Sequence, residues 1–276
     1  MQRIFDNIFC FLLTMIIFCS CELTKEIDYK TTGKTDWIVI NGFISKEHGV
    51  NVLVKKTVSP NRIDDNDIID KPDVWLHINN KAFARLVAID QYRYYLPPDS
   101  IEYTPGALYN IHVDAVGMES ARSGEQQLVS RFEIDTVYVV HDTINWNEKI
   151  YIEFVDDTEK DNFYAIKIDC FKDGETDNYF DLNEIVPKYT FTDEGYNFQV
   201  KKSFQFSCQD YDSIQVKLYS VSENYHHFLS SFWDYEISYS DYNYDTQYVV
   251  ETQIENGFGF FASYEVNNYI YKKPIY

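Results

Sequence analysis

Positive charge is scarce in this chain: 24 Lys and Arg stand against 44 Asp and Glu, giving a formal charge of −20. A surface of that sign repels phosphate backbones, and no basic stripe interleaved with aromatics relieves it, which excludes nucleic acid as a partner. Glycine (10) and proline (7) are few and form no tract, so the chain reads as globular rather than low-complexity. No apolar run is long enough to cross a bilayer as a helix; the extended one, residues 8–18, falls short of the roughly 20 residues required. Also missing are the Gly-x-Ser-x-Gly elbow, the His-Glu-x-x-His helix and the Cys-x-x-Cys pair. Carboxylate pairs for glycoside hydrolysis cannot be argued from spacing, because 44 acids guarantee chance pairs. The expectation is a protein that is not an enzyme and needs no cofactor.

What is present begins at the N-terminus. Arg3 precedes the apolar run of residues 8–18, whose length suits the core of a secretory signal. The run ends on Phe18-Cys19-Ser20-Cys21, with a polar stretch beyond. This pattern resembles the lipobox of bacterial lipoproteins, in which the last cysteine is diacylated and becomes the new N-terminus. The resemblance implies a signal peptide over 1–20, lipid such as palmitate on Cys21 and a tether over 21–32. The competing reading is an ordinary cleaved signal with an incidental cysteine. Two or three acyl chains, at about 0.8 kcal/mol per buried CH₂, give stable membrane attachment.

Roughly 255 residues remain after the signal, enough for two modest domains or one large one. Tyr (24) and Phe (20) are abundant, a composition that favours pleated sheets. Trp37-Ile38-Val39-Ile40-Asn41-Gly42-Phe43-Ile44 is a near-continuous apolar run of the length of a buried strand. Val74, Leu76 and Ile78 alternate with polar or amphipathic neighbours, residues 85–95 continue in the same style, and Tyr109, Ile111, Val113 and Ala115 share one face after the Pro105-Gly106 turn. These strands predict an antiparallel sandwich of immunoglobulin or transthyretin type over 33–128. A second β-rich domain is expected over 129–276, with Ile150, Ile152 and Phe154 on one strand face and Ile214, Val216 and Leu218 on another. Asp173-Gly174 marks a hairpin between strands. The fold class is therefore all-β, two antiparallel sandwich-like domains with one amphipathic helix.

That helix is expected over 222–236. Ser222 can cap it, and Tyr225, Phe228, Leu229 and Phe232 recur at i, i+3, i+4 and i+7 to bury one stripe. His226 and His227 diverge by about 100° on a helix, so a surface or half-buried pair is a better account than a metal site. A polar loop over 237–248 follows. Trp233, Tyr235, Tyr239, Tyr242, Tyr244 and Tyr248 offer amphipathic contact area there; they form a binding surface or else pack back on the sheet.

Of five cysteines, Cys10 and Cys19 leave with the signal and Cys21 takes lipid, which leaves Cys170 and Cys208. Both point into the core if their segments are strands, and they form either a disulfide or two separate buried thiols. Asp64, Asp65 and Asp67 offer oxygen ligands for a cation, but their loop lacks the glycine and closing glutamate of a calcium loop, so a solvated loop is the simpler reading. Gly257 and Gly259, in Asn256-Gly257-Phe258-Gly259, fit a turn and a close backbone approach to packed rings better than a phosphate cradle, which needs a third glycine and a following helix.

The segment Ile254-Glu255-Asn256-Gly257-Phe258-Gly259-Phe260-Phe261-Ala262-Ser263-Tyr264, after a serine-led aromatic helix, resembles the end of the domain-of-unknown-function 4249 family, lipoproteins of Bacteroidota. The lipobox, the acidic tether, the strand at 37–44 and the Pro105-Gly106 turn are similar as well. Phe258 stands where the family pattern carries an aliphatic residue. The resemblance implies an outer-membrane lipoprotein, cell-surface facing or periplasmic, that acts as accessory or substrate-capture partner of a TonB-dependent transporter, a large β-barrel. The alternative is a structural or assembly subunit of a larger outer-membrane complex with no small-molecule ligand.

Overall fold

Alternating apolar and polar side chains build seventeen strands among the described residues, together with one α-helix. The computed structural model describes residues 36–58, 66–142, 147–156, 161–176, 187, 189–192, 199–206, 211–240 and 250–273. The first half supplies β1 (Ile38–Ser45), β2 (Gly49–Lys56), β3 (Asp73–Ile78), β4 (Lys81–Arg85), β5 (Val87–Ala88), β6 (Arg93–Leu96), β7 (Tyr109–Asp114) and β8 (Ala121–Ser123). Next come β9 (Ile134–Asp142), β10 (Asn147–Val155), β11 (Phe163–Lys172), β12 (Glu175–Thr176), β13 (Tyr189–Thr192), β14 (Gln199–Phe206) and β15 (Ser213–Val221). Helix α1 (Glu223–Ser240), β16 (Ile254–Glu255) and β17 (Gly257–Lys272) close the chain.

The fold is all-β and sandwich-like. A nine-stranded sheet runs β12-β11-β15-β17-β1-β2-β6-β5, with β13 also on β11; a five-stranded sheet runs β16-β8-β7-β3-β4 and a three-stranded one β14-β10-β9. β17 links the two parts of the large sheet: residues 257–263 pair with β1 in parallel, and residues 264–272 pair with β15 antiparallel. The parallel pair departs from the all-antiparallel expectation, because its partners lie more than 200 residues apart in sequence and no local turn signal records them. Strand pairing therefore crosses the expected division near residue 128. Ile254 and Phe261 fill the same core as Ile38, Leu76 and Ile111, so the last strands complete the sandwich that the first ones begin.

Side-chain parity assigns the two faces of the large sheet. On one face Ile38, Ile40, Ile44 and Val52 pack with Val74, Leu76 and Ile111 of the five-stranded sheet. Tyr164, Ile166, Val216 and Leu218 on the same face pack with Ile150, Ile152 and Phe154 of the three-stranded sheet. The connecting segment between β8 and β9, residues 124–133, crosses this face too. The Ser263 hydroxyl donates to the Gln127 carbonyl, Asn267 donates to Glu133, and the Ile134 N–H donates to Asn267 Oδ1 at 3.2 Å. On the other face Phe43, Phe260, Ala262 and Val266 receive α1 through Tyr225, Phe228 and Leu229. Phe228 and Phe260 meet at 4.3 Å between ring centroids, and Phe43 meets Tyr225 edge-on at 5.1 Å.

Four local outcomes depart from the sequence reading. The helix runs to Ser240, four residues past 236 and into the expected loop, because neither Gly nor Pro interrupts it. Its first turn is closed by the Ser222 carbonyl, which accepts the N–H groups of Tyr225 and His226 at 3.0 and 3.1 Å; the Ser222 hydroxyl, expected to cap, has no partner. Residues 85–95 break into separate strands because Asp90 Oδ1 accepts the N–H groups of Tyr92 and Arg93, each at 2.8 Å, and turns the chain. The glycines of residues 256–259 answer to the β1 backbone rather than to rings: a Cβ on Gly257 would lie 2.5 Å from the Ile38 carbonyl oxygen, and one on Gly259 would strike the Ile40 carbonyl oxygen.

Candidate functional site

α1 covers only part of its face, and the remainder forms a groove along the large sheet. Cross-strand register builds its floor in rows: Tyr95, Asn51 and Phe43 lie side by side, as do Arg93, Leu53 and Asn41. β17 adds Tyr264, Val266 and Asn268, and β15 sets Tyr219 beside Val266 and Lys217 beside Asn268. The groove measures about 750 Å³ and is walled by Tyr225 of α1 and by Glu47, His48 and Pro98 at the β1–β2 end. Tyr264 is its central ring, edge-on to Phe43 at 5.4 Å, tilted to Tyr219 at 6.1 Å and stacked with His48 at 6.2 Å.

Two buried groups set the electrostatics beneath it. Burial holds the Tyr225 phenol well above its usual pKa, so it stays neutral. Burial also raises the pKa of Glu265, whose carboxylate accepts the Lys46 N–H at 2.8 Å and so pins the turn that carries Glu47 and His48. Rings with exposed faces and the carboxamides of Asn41, Asn51 and Asn268 can hold a ligand that is apolar on one side and hydrogen-bonding on the other.

The expected binding surface meets this groove at one point. The Trp233 indole N–H donates to the Pro187 carbonyl at 3.0 Å, and Pro187 lines the groove. Tyr235 is exposed. The Tyr239 side chain and Tyr242, Tyr244 and Tyr248 lie outside the described residues, as does Cys21. The floor residues Asn41, Asn51, Tyr95, Tyr219, Tyr264 and Asn268 were not foreseen. Their place on alternate strand positions was readable, but which face stays uncovered depends on where α1 docks.

Cys170 is disulfide-bonded and sits in the second core with Ile166 and Val216; Cys208 lies outside the described residues. Asp64 and Asp65 also lie outside them. Asp67 is engaged by the Lys55 ammonium and the Tyr92 hydroxyl, each at 2.8 Å, and these hydrogen bonds pull its pKa down. Among the described residues no group of three His, Cys, Asp or Glu could hold a metal ion. His226 is half-buried against Phe163 at 5.3 Å, whereas His227 is exposed, 3.7 Å from Glu223.

A second polar cluster lies on the outer face of the five-stranded sheet. His77 and His112 stack at 3.7 Å with their rings 8° from parallel, and one nitrogen of each, Nδ1 and Nε2 respectively, is buried without a partner. Burial lowers both pKa values, that of His112 to about 4, helped by the other imidazole and by Arg122.

None of the curated proteins matches the chain. The family profile described as "Domain of unknown function (DUF4249)" matches residues 24–270, and the chain belongs to that family.

Proposed function

We propose that this protein is a lipid-anchored capture protein of the outer membrane, which holds a ligand in the groove on the open face of its large sheet and works beside a TonB-dependent transporter. The observation that carries this reading is the groove itself, about 750 Å³ of rings and carboxamides on a face that α1 leaves open. Its size falls within the roughly 300–1,000 Å³ of small-molecule sites. Retention rather than catalysis fits a floor built from Asn41, Asn51, Tyr264 and Asn268. The lipobox-like ending at Cys21 supports the anchor, and the formal charge of −20 suits a surface that resists association with other acidic envelope proteins while accepting a complementary partner.

Affinity purification of the tagged protein from intact envelopes in mild detergent tests the partnership. A large β-barrel that co-purifies in stoichiometric amount supports it, and a solitary protein refutes it. Cys21→Ser tests the anchor: the variant should lose labelled palmitate and move to the aqueous fraction, whereas unchanged membrane retention would overturn that part of the reading.

A further inference from the structure

A smaller cleft, about 310 Å³, opens where the connecting segment passes the start of α1. Its inner wall carries two buried polar side chains with unmet hydrogen bonds. Gln126 is 2% exposed with Nε2 unpartnered, and Ser222 is 9% exposed with Oγ unpartnered. Glu223 and Asn224, the first residues of α1, also line it. Of the first-turn amides, those of Tyr225 and His226 are taken by the Ser222 carbonyl, which leaves the amides of Glu223 and Asn224 without intrahelical acceptors at the positive end of the dipole. Gln126 Nε2 and these two amides donate, and the Ser222 hydroxyl is able to donate as well. An oxygen-rich, negatively charged group is what they lack.

The rim has the opposite character. Glu125, Asp161 and Glu223 are exposed acids around the same opening. A simple anion is repelled there, whereas a molecule that carries a cation one or two bonds from its carboxylate satisfies both zones. Between them Leu128, Phe132, Phe163 and Val221 give apolar walls. We infer that this cleft is a binding site for a zwitterionic α-amino acid with an apolar side chain: its carboxylate accepts from Ser222 Oγ, Gln126 Nε2 and the Glu223 and Asn224 amides, its ammonium faces the acidic rim, and its side chain lies on Leu128 and Val221. The site is separate from the groove and does not depend on the function proposed for it.

Isothermal titration of the full-length protein in detergent with L-leucine tests this. Saturable binding is expected, and both L-leucine methyl ester, which lacks the carboxylate, and N-acetyl-L-leucine, which lacks the ammonium, should bind about tenfold more weakly or worse, a loss of about 1.4 kcal/mol. Ser222→Ala combined with Gln126→Met should abolish the preference for leucine over its ester. Glu223→Gln, at an exposed position that leaves the fold intact, should abolish the preference over N-acetyl-L-leucine. Absence of saturable heat with leucine, equal affinity for all three probes, or unchanged preferences in the variants would overturn the assignment.

Discussion

Gly259→Ala should damage this protein more than its size of one methyl group suggests. Gly259 has φ +105°, outside the region that L side chains adopt easily, and it lies opposite Ile40 in the parallel pair between β17 and β1. Backbone strain of this kind costs about 1–3 kcal/mol. The added Cβ would also lie within 2.6 Å of Asn41 Oδ1 and closer still to the Ile40 carbonyl oxygen, so the two strands must part. Losing two ladder hydrogen bonds adds about 1–3 kcal/mol. The expected total is about 2–6 kcal/mol, reaching the top of the range for single substitutions. At about 2–4 °C per kcal/mol for a body of this size, the melting temperature should fall by about 4–24 °C. Gly106→Ala is the control, because Gly106 has φ +76° and a methyl carbon added there would meet nothing within 4 Å; only left-handed strain applies, about 1–2 kcal/mol. Urea denaturation of both variants measures the difference. Equal losses would show that close strand approach at Gly259 contributes nothing and would refute the reasoning.

The remaining expectations follow from burial and charge. Leu229 is fully buried under α1, so Leu229→Ala should cost about 2–5 kcal/mol in denaturant unfolding; a loss below about 1 kcal/mol would mean that the helix is loosely seated. The His112 pKa is depressed from 6.5 to about 4, so between those values the unfolded chain binds more protons than the folded one and stability must fall as pH drops through that window. His112→Phe should flatten that slope in pH-dependent melting, and an unchanged slope would place the titration elsewhere. Glu265 has the opposite sign: its pKa is raised from 4.5, so its contribution is present below 4.5 and is lost as pH rises through the raised value. Glu265→Gln, which keeps an acceptor for the Lys46 N–H, should hold or increase stability at neutral pH, and a marked loss there would show that the carboxylate charge is needed.

Sequence periodicity made the individual strands legible. The stripe Tyr225, Phe228, Leu229 and the strand faces 74/76/78 and 214/216/218 all fall on cores as their spacing requires. Long-range pairing was not legible. Nothing in residues 38–44 names residues 257–263 as neighbours, and the only trace of their meeting is the pair of glycines where a Cβ would strike a carbonyl. The groove was hidden for the same reason. Tyr264 and Asn268 alternate with Glu265 and Asn267 in a segment polar on both sides, so hydropathy could not tell the open face from the covered one.

β17 resolves that ambiguity by parity. Its odd positions hold the body together: Phe261 enters the first core, Ser263 and Asn267 bind the connecting segment, and Tyr269 and Tyr271 pack on the second core. Its even positions seat α1 through Phe260 and Ala262, then line the groove through Tyr264, Val266 and Asn268. Because successive strand residues point to opposite faces, one strand serves both tasks without sharing a side chain between them. A one-residue slip would exchange the two sets, placing Glu265 beneath α1 and Tyr264 against the connecting segment. The parallel register with β1, held by Gly257 and Gly259, is thus the contact on which both the joined cores and the groove depend.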